Sequence, residues 1–367
     1  MKAEHSPFGL SGKSLFYVFS IYSLIIFFNG CSKKESDNPV VQPPTAINLW
    51  TDTGGLNANG DIAALCSDIY GNVYAAGAFT NANGTHYVAK WDGQSWTDLG
   101  SLNANGVIKM LCSDKNGNIY AAGSFTNGAD LRYIAKWNGS AWSDLGIHTE
   151  YYQEMTICTG MDGNLYAAGM IENSSGLNLV YKWNGFAWSN LGGYDTGDPV
   201  TSICADAGGT VYAGTATFGG TGKPYVAEWN GTWSKLPDLN TNEGVISTSF
   251  TDAAGNLYLG GDFYNPSGKF YMAKWDGNAW TELGSLNGNI ASLCTDNDGN
   301  IYAAGSFSIN TYGFAVARWG NGAWNEIGNL NAGMNILAIC TDYSGNIYVG
   351  GNFRNSSGDF YVAVYHQ

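Results

Sequence analysis

The sequence predicts an all-β chain, a seven-bladed β-propeller of four-stranded antiparallel blades closed by its own N-terminal strand. Three observations carry this: two tryptophan series and one tyrosine series, each recurring at about 46 residues. The first runs Trp50, Trp96, Trp142, Trp188, Trp233, Trp280 and Trp324. The second runs Trp91, Trp137, Trp183, Trp229, Trp275 and Trp319, with Tyr365 in seventh place. The tyrosines are Tyr74, Tyr120, Tyr166, Tyr212, Tyr258, Tyr302 and Tyr348. All 13 tryptophans of the chain fall into the two series, so one repeat accounts for them all. A fixed period of this length marks a repeat architecture rather than two or three separate domains.

Each unit reads as four short strands. In one copy they are IASLCTD (290–296), IYAAGSF (301–307), FAVARW (314–319) and AWNEIG (323–328), joined by Asp-x-x-Gly-Asn and Asn-Gly turns. Such strands and turns make meander hairpins. A lone meander leaves a face uncovered, and radial stacking covers it. The composition agrees, with 51 Gly, 14% aromatic and 13% charged residues. Ala-Ala-Gly at 75–77, 121–123, 167–169 and 303–305 is expected to let blades approach. Phe79, Phe125, Phe263, Phe307 and Phe353 are expected to fill the wider space between them.

Closure follows from the ends. The last repeat, 335–366, supplies three strands, and a spare fourth strand, 47–54, precedes the first repeat. The N-terminal strand is therefore expected to complete the blade of 335–366, which removes two open sheet edges.

Residues 1–30 read as a lipoprotein-type signal peptide. Lys2 and Lys13 precede an apolar run of about 14 residues, 15–28, which suits a signal core and is short for a span of about 20. Gly30-Cys31 follows, so Cys31 is the expected lipid attachment site. Residues 31–45 read as a proline-stiffened tether, similar to those of Bacteroidetes surface lipoproteins, and 46–367 as the propeller. The expected location is a bacterial cell envelope, as an outer membrane lipoprotein held by its lipid only.

The net charge of −14 argues against nucleic acid as a partner. Of the seven cysteines, the six besides Cys31 share one repeat position: Cys66, Cys112, Cys158, Cys204, Cys294 and Cys340. Phe250 stands in the seventh copy. A position that accepts Phe is an apolar packing site, so free, buried thiols are expected. Asp68, Asp114, Asp206, Asp252, Asp296 and Asp342 recur at hairpins, where Asp stabilises a turn; a weak calcium loop is the alternative. No catalytic residue, metal site or cofactor is expected: nucleophile elbow, zinc helix and phosphate loop are all missing.

The block GNIYAAGSF…YVAKWDG…WTDLG resembles kelch-like and galactose-oxidase-like propellers. It is most similar to fungal cortical polarity-marker repeats and their bacterial relatives, over about residues 46–367. That resemblance implies a propeller and names no activity. The copper chemistry of galactose oxidase is not implied, because His86, His148 and His366 lie in different repeats.

Function is sought where the repeat breaks. The loop between blades, usually LNANG, becomes His148-Thr149-Glu150-Tyr151-Tyr152-Gln153-Glu154 after blade 2. His148, Glu150, Tyr151, Tyr152 and Glu154 are therefore candidate binding residues. Asn81, Asn127, Asn173, Asn265 and Asn355, on loops of the same face, join them, beside Tyr264, Lys223 and Arg354. Asn amides suit sugar hydroxyls or a peptide backbone. The expected function is a monomeric, non-catalytic binding module for glycan or for an envelope or extracellular protein. An enzyme acting on an extracellular polysaccharide or other polymer, and a structural part of an envelope complex, are the alternatives.

Overall fold

The computed structural model describes residues 50–100, 102–147, 155–169, 178–194, 198–217, 222–309, 313–330 and 332–367. Within them, seven four-stranded antiparallel sheets form the blades of a propeller. In blade 6 the strands are Asn289–Thr295, Ile301–Ser306, Ala315–Gly320 and Ala323–Glu326, within about two residues of the sequence reading at each end. The first strand is innermost and the fourth outermost.

Blade 7 is built from both ends of the chain. Ile336–Thr341, Ile347–Gly351 and Ala363–Tyr365 are completed by Thr51–Asp52, with Thr51 opposite Val364 and Asp52 opposite Ala363. Thr53 extends the pairing through its N–H to the Val362 carbonyl at 3.0 Å. This is the expected closure.

The core lies between blades. Phe79 is fully buried, and its cluster includes Ala338, Tyr348 and Phe360 of blade 7. Phe79, Phe125, Phe263 and Phe353 each meet a tyrosine edge-on, at 4.9 to 5.1 Å between ring centres. Apolar area removed from water in this way is the main stabilising term of such a ring.

Ala-Ala-Gly divides its work more finely than expected. A Cβ at Gly77 would strike the Asp61 carbonyl of the same blade, where the inner hairpin has a bulge between Ile62 and Ala64. That glycine serves its own blade. The preceding position faces the neighbour: a Cβ at Gly350 would meet Ile62 of blade 1.

The two tryptophan series meet across the outer hairpin of each blade. Trp91 and Trp96, Trp137 and Trp142, Trp183 and Trp188, and Trp275 and Trp280 lie 5.2 to 5.6 Å apart. The fourth-strand indole also latches blades together. Trp188 Nε1 donates to the Leu145 carbonyl at 2.7 Å, Trp280 to Pro237 at 2.8 Å and Trp324 to Leu283 at 2.8 Å. Trp142 departs from this, its N–H buried without an acceptor among the described residues.

Candidate functional site

Two faces present loops, and they are built differently. The loops between blades and those between second and third strands share one face. Asn59 shows this: its side chain donates to Thr80 Oγ1 at 3.0 Å and accepts from the Thr80 N–H at 2.7 Å. Asn105 and Thr126 repeat the pair. The linkers are also clamped by backbone, Ala58 exchanging two hydrogen bonds with Phe360 and Ala104 two with His86.

On that face the asparagines act in turns. Asn81 Oδ1 accepts from the Asn83 and Thr85 N–H groups and from Thr85 Oγ1. Asn127, Asn265 and Asn355 accept likewise, and each donates its amide to an acid of a fourth strand: Asp144 at 3.4 Å, Glu282 at 3.1 Å and Asp52 at 3.1 Å. Tyr264 donates to Glu243 at 2.8 Å, Lys223 lies 3.7 Å from Asp238, and the Arg354 guanidinium covers the Phe360 ring at 3.7 Å. His148, Glu150, Tyr151, Tyr152, Glu154, Asn173 and Cys31 lie outside the described residues.

The opposite face carries the turns between first and second strands, where the aspartate and tyrosine series prove to be one device. Asp114 Oδ1 accepts from the Asn116 and Asn118 N–H groups, and Oδ2 from Asn118 Nδ2 and Tyr120 Oη. Asp252 and Asp296 repeat the set. Burial opposes ionisation of Asp114, Asp252 and Asp296, but these donors outweigh it and hold each pKa below the ordinary carboxylate value. Burial, with the bonded aspartate, pushes the Tyr302 hydroxyl up to about 12.

Blade 3 keeps the device with its acid moved. Gly160 stands where the aspartate is expected, and Asp162 takes over the Tyr166 hydroxyl at 2.7 Å and Lys182 Nζ at 3.2 Å. A Cβ at Gly160 would sit 2.6 Å from Asp162 Oδ1, so the glycine leaves room for the relocated carboxylate. Blade 4 breaks the outer part instead. Lys136, Lys182 and Lys274 lie over the tyrosines of their blades, but Glu228 holds that place in blade 4. Burial first, then the nearby Asp206 charge, raises the Glu228 pKa.

The channel is lined by the inner strands. Each thiol packs toward the following blade: Cys340 with Ile62 and Leu65, Cys66 with Ile108 and Leu111, Cys204 with Ile246. Equivalent sulfurs therefore do not face one another, and all six described cysteines are free. Burial raises every one of these thiol pKa values, Cys204 to about 12. Among the described residues no three His, Cys, Asp or Glu side chains are placed to hold a metal ion.

In five of the seven blades the residue after the cysteine position does something the tryptophan count did not suggest. Ser113 donates to the Ser67 carbonyl at 2.6 Å, Thr159 to Ser113 at 2.6 Å, Thr251 to Ala205 at 3.1 Å and Thr341 to Thr295 at 2.7 Å. Ser67 donates to Thr341 at 2.7 Å, across the closing seam. These hydroxyl-to-carbonyl links run from blade to preceding blade along the channel, except at Ala205 and at Thr295, whose hydroxyl makes no such bond to a described residue. The signal was present as a Ser/Thr column broken only at Ala205.

Inside the channel, toward the turn face, lies a cavity of about 290 Å³ walled by inner strands of blades 2 to 5. Thr156, Ser202, Ser247, Thr248 and Ser249 line it, with Met110, Ile157, Ile203 and Phe250, and no charged side chain. Ile69, Tyr70, Met161 and Tyr343 stand half to three-quarters exposed at turn tips on that face.

The fold recurs in solved structures. A structure described as YCF48 bound to D1 peptide is similar at 12% identity and a TM-score of 0.58, covering 89% of this chain and 97% of that one. The extracellular domain of the hybrid two-component system BT4673 from B. thetaiotaomicron is similar at 13% identity and 0.59, covering 87% of this chain and 40% of that longer one. The WD40 β-propeller domain of Doa1 matches at 13% and 0.59, covering 87% and 97%. At such identities the likeness is one of fold: the chain is a seven-bladed β-propeller. No family model matches it, and no curated protein matches its sequence.

Proposed function

We propose that this chain is a binding module of the bacterial cell envelope, lipid-anchored through Cys31 and recognising a glycan or an envelope protein. The observation that carries this is the uncharged, hydroxyl-lined cavity opening on a face whose turns are internally satisfied. Pockets of such size with a few polar groups are the usual form of small-ligand sites. Propellers serve widely as binding modules, and a structure of this fold holds a peptide in the YCF48 complex. The repeat-wide resemblance to kelch-like propellers supports the same reading and adds no activity.

The test is a glycan array together with an envelope pull-down, using the full chain. Binding in either supports the proposal. Silence in both, alongside turnover of a polysaccharide by the same preparation, overturns it.

A second reading, an enzyme acting on an extracellular polymer, has one observation in its favour. Glu228, its pKa raised by burial and by Asp206, has the character of a general acid beside a second carboxylate. Turnover abolished by Glu228→Gln with folding intact would establish that reading.

A further inference from the structure

The turn-face mouth of the channel is lopsided, and its irregularities coincide with the cavity. Met161, the first tip residue of the blade 3 inner turn, lines the cavity itself, and its counterparts hold the same turn position in the other blades. Around the ring these residues are Ile69, Lys115, Met161, Ala207, Ala253, Asn297 and Tyr343, all exposed. The rim is tall from blade 7 through blade 3 and low at blades 4 and 5, where alanines stand.

The wall changes in the same sector. Ala205 interrupts the hydroxyl ring, so the Thr159 carbonyl receives no link from blade 4. Phe250 replaces the cysteine and stacks on Tyr258 at 4.8 Å with rings 7° from parallel. Blade 5 adds Ser247 and Thr248, while Ser202 and Ser249 join blades 4 and 5 through their hydroxyls at 2.6 Å. The side chains of Thr156, Ser247 and Thr248 make no hydrogen bond to another described residue.

We propose that this mouth and cavity form a saccharide site, taking a neutral sugar unit of a glycan from the turn face. It rests on the reading of the chain as a binding module, and it puts the ligand on the face opposite the asparagine loops. A neutral sugar offers hydroxyls that both donate and accept, and C–H faces that suit Met110, Ile157 and Phe250. A charged group buried here would be desolvated with no counter-charge in the wall. The net charge of −14 further opposes an acidic glycan.

The tall side of the rim supplies platforms for the neighbouring sugar units. Tyr70 and Tyr343 are each 72% exposed. The Tyr70 ring rests against Gly117 of the next turn, 2.7 Å from where a Cβ would stand. The Tyr343 turn is held by Asn297, whose amide donates to its carbonyl at 2.7 Å. Aromatic faces already held in place lose little freedom on binding.

The experiment is calorimetric titration of the full chain, in detergent, with neutral gluco-, manno-, galacto- and xylo-oligosaccharides of two to six units. At least one is expected to bind. Ser247→Leu, which fills the cavity, should weaken that binding by about tenfold or more, and Tyr343→Ala by roughly three- to tenfold. Ala253→Trp raises the low rim at an exposed tip, where folding is not at stake, and should weaken binding as much as Ser247→Leu. Asn265→Ala, on the other face, should leave it unchanged. Binding that ignores both Ser247→Leu and Ala253→Trp overturns this site while leaving glycan recognition standing. Failure of the whole panel, with an envelope protein still captured, overturns the saccharide class and leaves the binding module. Capture of a peptide that Ala253→Trp abolishes overturns it in favour of a protein ligand at the mouth.

Discussion

The Trp50 and Tyr365 rings lie 5.4 Å apart, inclined at 51°, although 315 residues separate them in the sequence. They occupy the places of the two tryptophans that face each other in the other blades. Trp50 also donates its indole N–H to the Ile327 carbonyl of blade 6 at 2.8 Å. One residue thus joins the chain's beginning to its last two blades.

Trp50→Ala should therefore destabilise by about 2–3 kcal/mol, below the range for a fully buried tryptophan because Trp50 is only half-buried. Hydrogen exchange should rise in Ala363–Tyr365 and around Ile327 before it rises elsewhere. Denaturant unfolding followed by exchange mass spectrometry checks both. A uniform rise across all blades would show that closure is not localised at this pair.

Asp162→Ala removes the acceptor of the buried Tyr166 hydroxyl and the partner of Lys182. A loss of about 2 kcal/mol is expected, the cost of a stranded buried hydroxyl plus a half-buried ion pair. Gly160→Asp alone should also destabilise, since its Cβ runs into Asp162. Gly160→Asp combined with Asp162→Gly restores the pattern of the other blades and should recover most of the loss, read as the urea midpoint.

Stability should depend on pH in two opposite senses. Asp114, Asp162, Asp252 and Asp296 have folded pKa values below their unfolded ones. Their contribution is complete above the ordinary carboxylate value and is lost as pH falls through the folded values. The Glu228 pKa is raised, so its effect is favourable in acid and is lost as pH rises through that raised value. Glu228→Gln should accordingly raise the melting temperature at pH 7 and lose that advantage near pH 4. Glu228→Lys, which rebuilds the lysine-over-tyrosine arrangement, should gain about 0.5 kcal/mol at pH 7.

The thiols should be silent in the native state. Iodoacetamide at pH 7.5 is expected to leave Cys66, Cys158 and Cys294 unmodified, because burial holds them protonated. With Cys31 lipidated as proposed, the extracted full chain should take up six labels in guanidinium, and a variant without residues 1–31 also six. A seventh label on the extracted protein would mean that Cys31 carries a free thiol.

The blades and their closure were legible because every repeat spends the same costly residues on packing. Tryptophan and tyrosine at fixed spacing have no cheaper explanation. The Asp–Asn–Tyr device was visible only as two separate columns, since nothing in a linear pattern says that Asp114 and Tyr120 share a hydrogen bond. Blade 3 hides it further by moving the acid two places along. The turn-face cavity was not legible at all. It is walled largely by small residues such as Ser202, Ala205, Ser247 and Ser249, and small side chains give a sequence no emphasis. The loop-face asparagines drew notice through their chemistry, yet the described ones are occupied with their own turns.

The hydroxyl links along the channel run from Thr159 through Ser113, Ser67 and Thr341 to the Thr295 carbonyl, straight across the seam where the two ends of the propeller meet. Each joins a residue to its counterpart one unit earlier, and Ser67 reaching Thr341 is chemically the same step as Ser113 reaching Ser67. The molecule's inner chemistry is thus indifferent to where the chain starts. Joining the present ends and reopening the chain in the 102–106 linker would preserve every link, whereas a cut inside an inner strand would not. New termini moved from linker to linker should give a series of circular permutants alike at the axis, each with all seven blades built from one continuous stretch and none completed by a strand from the far end of the chain.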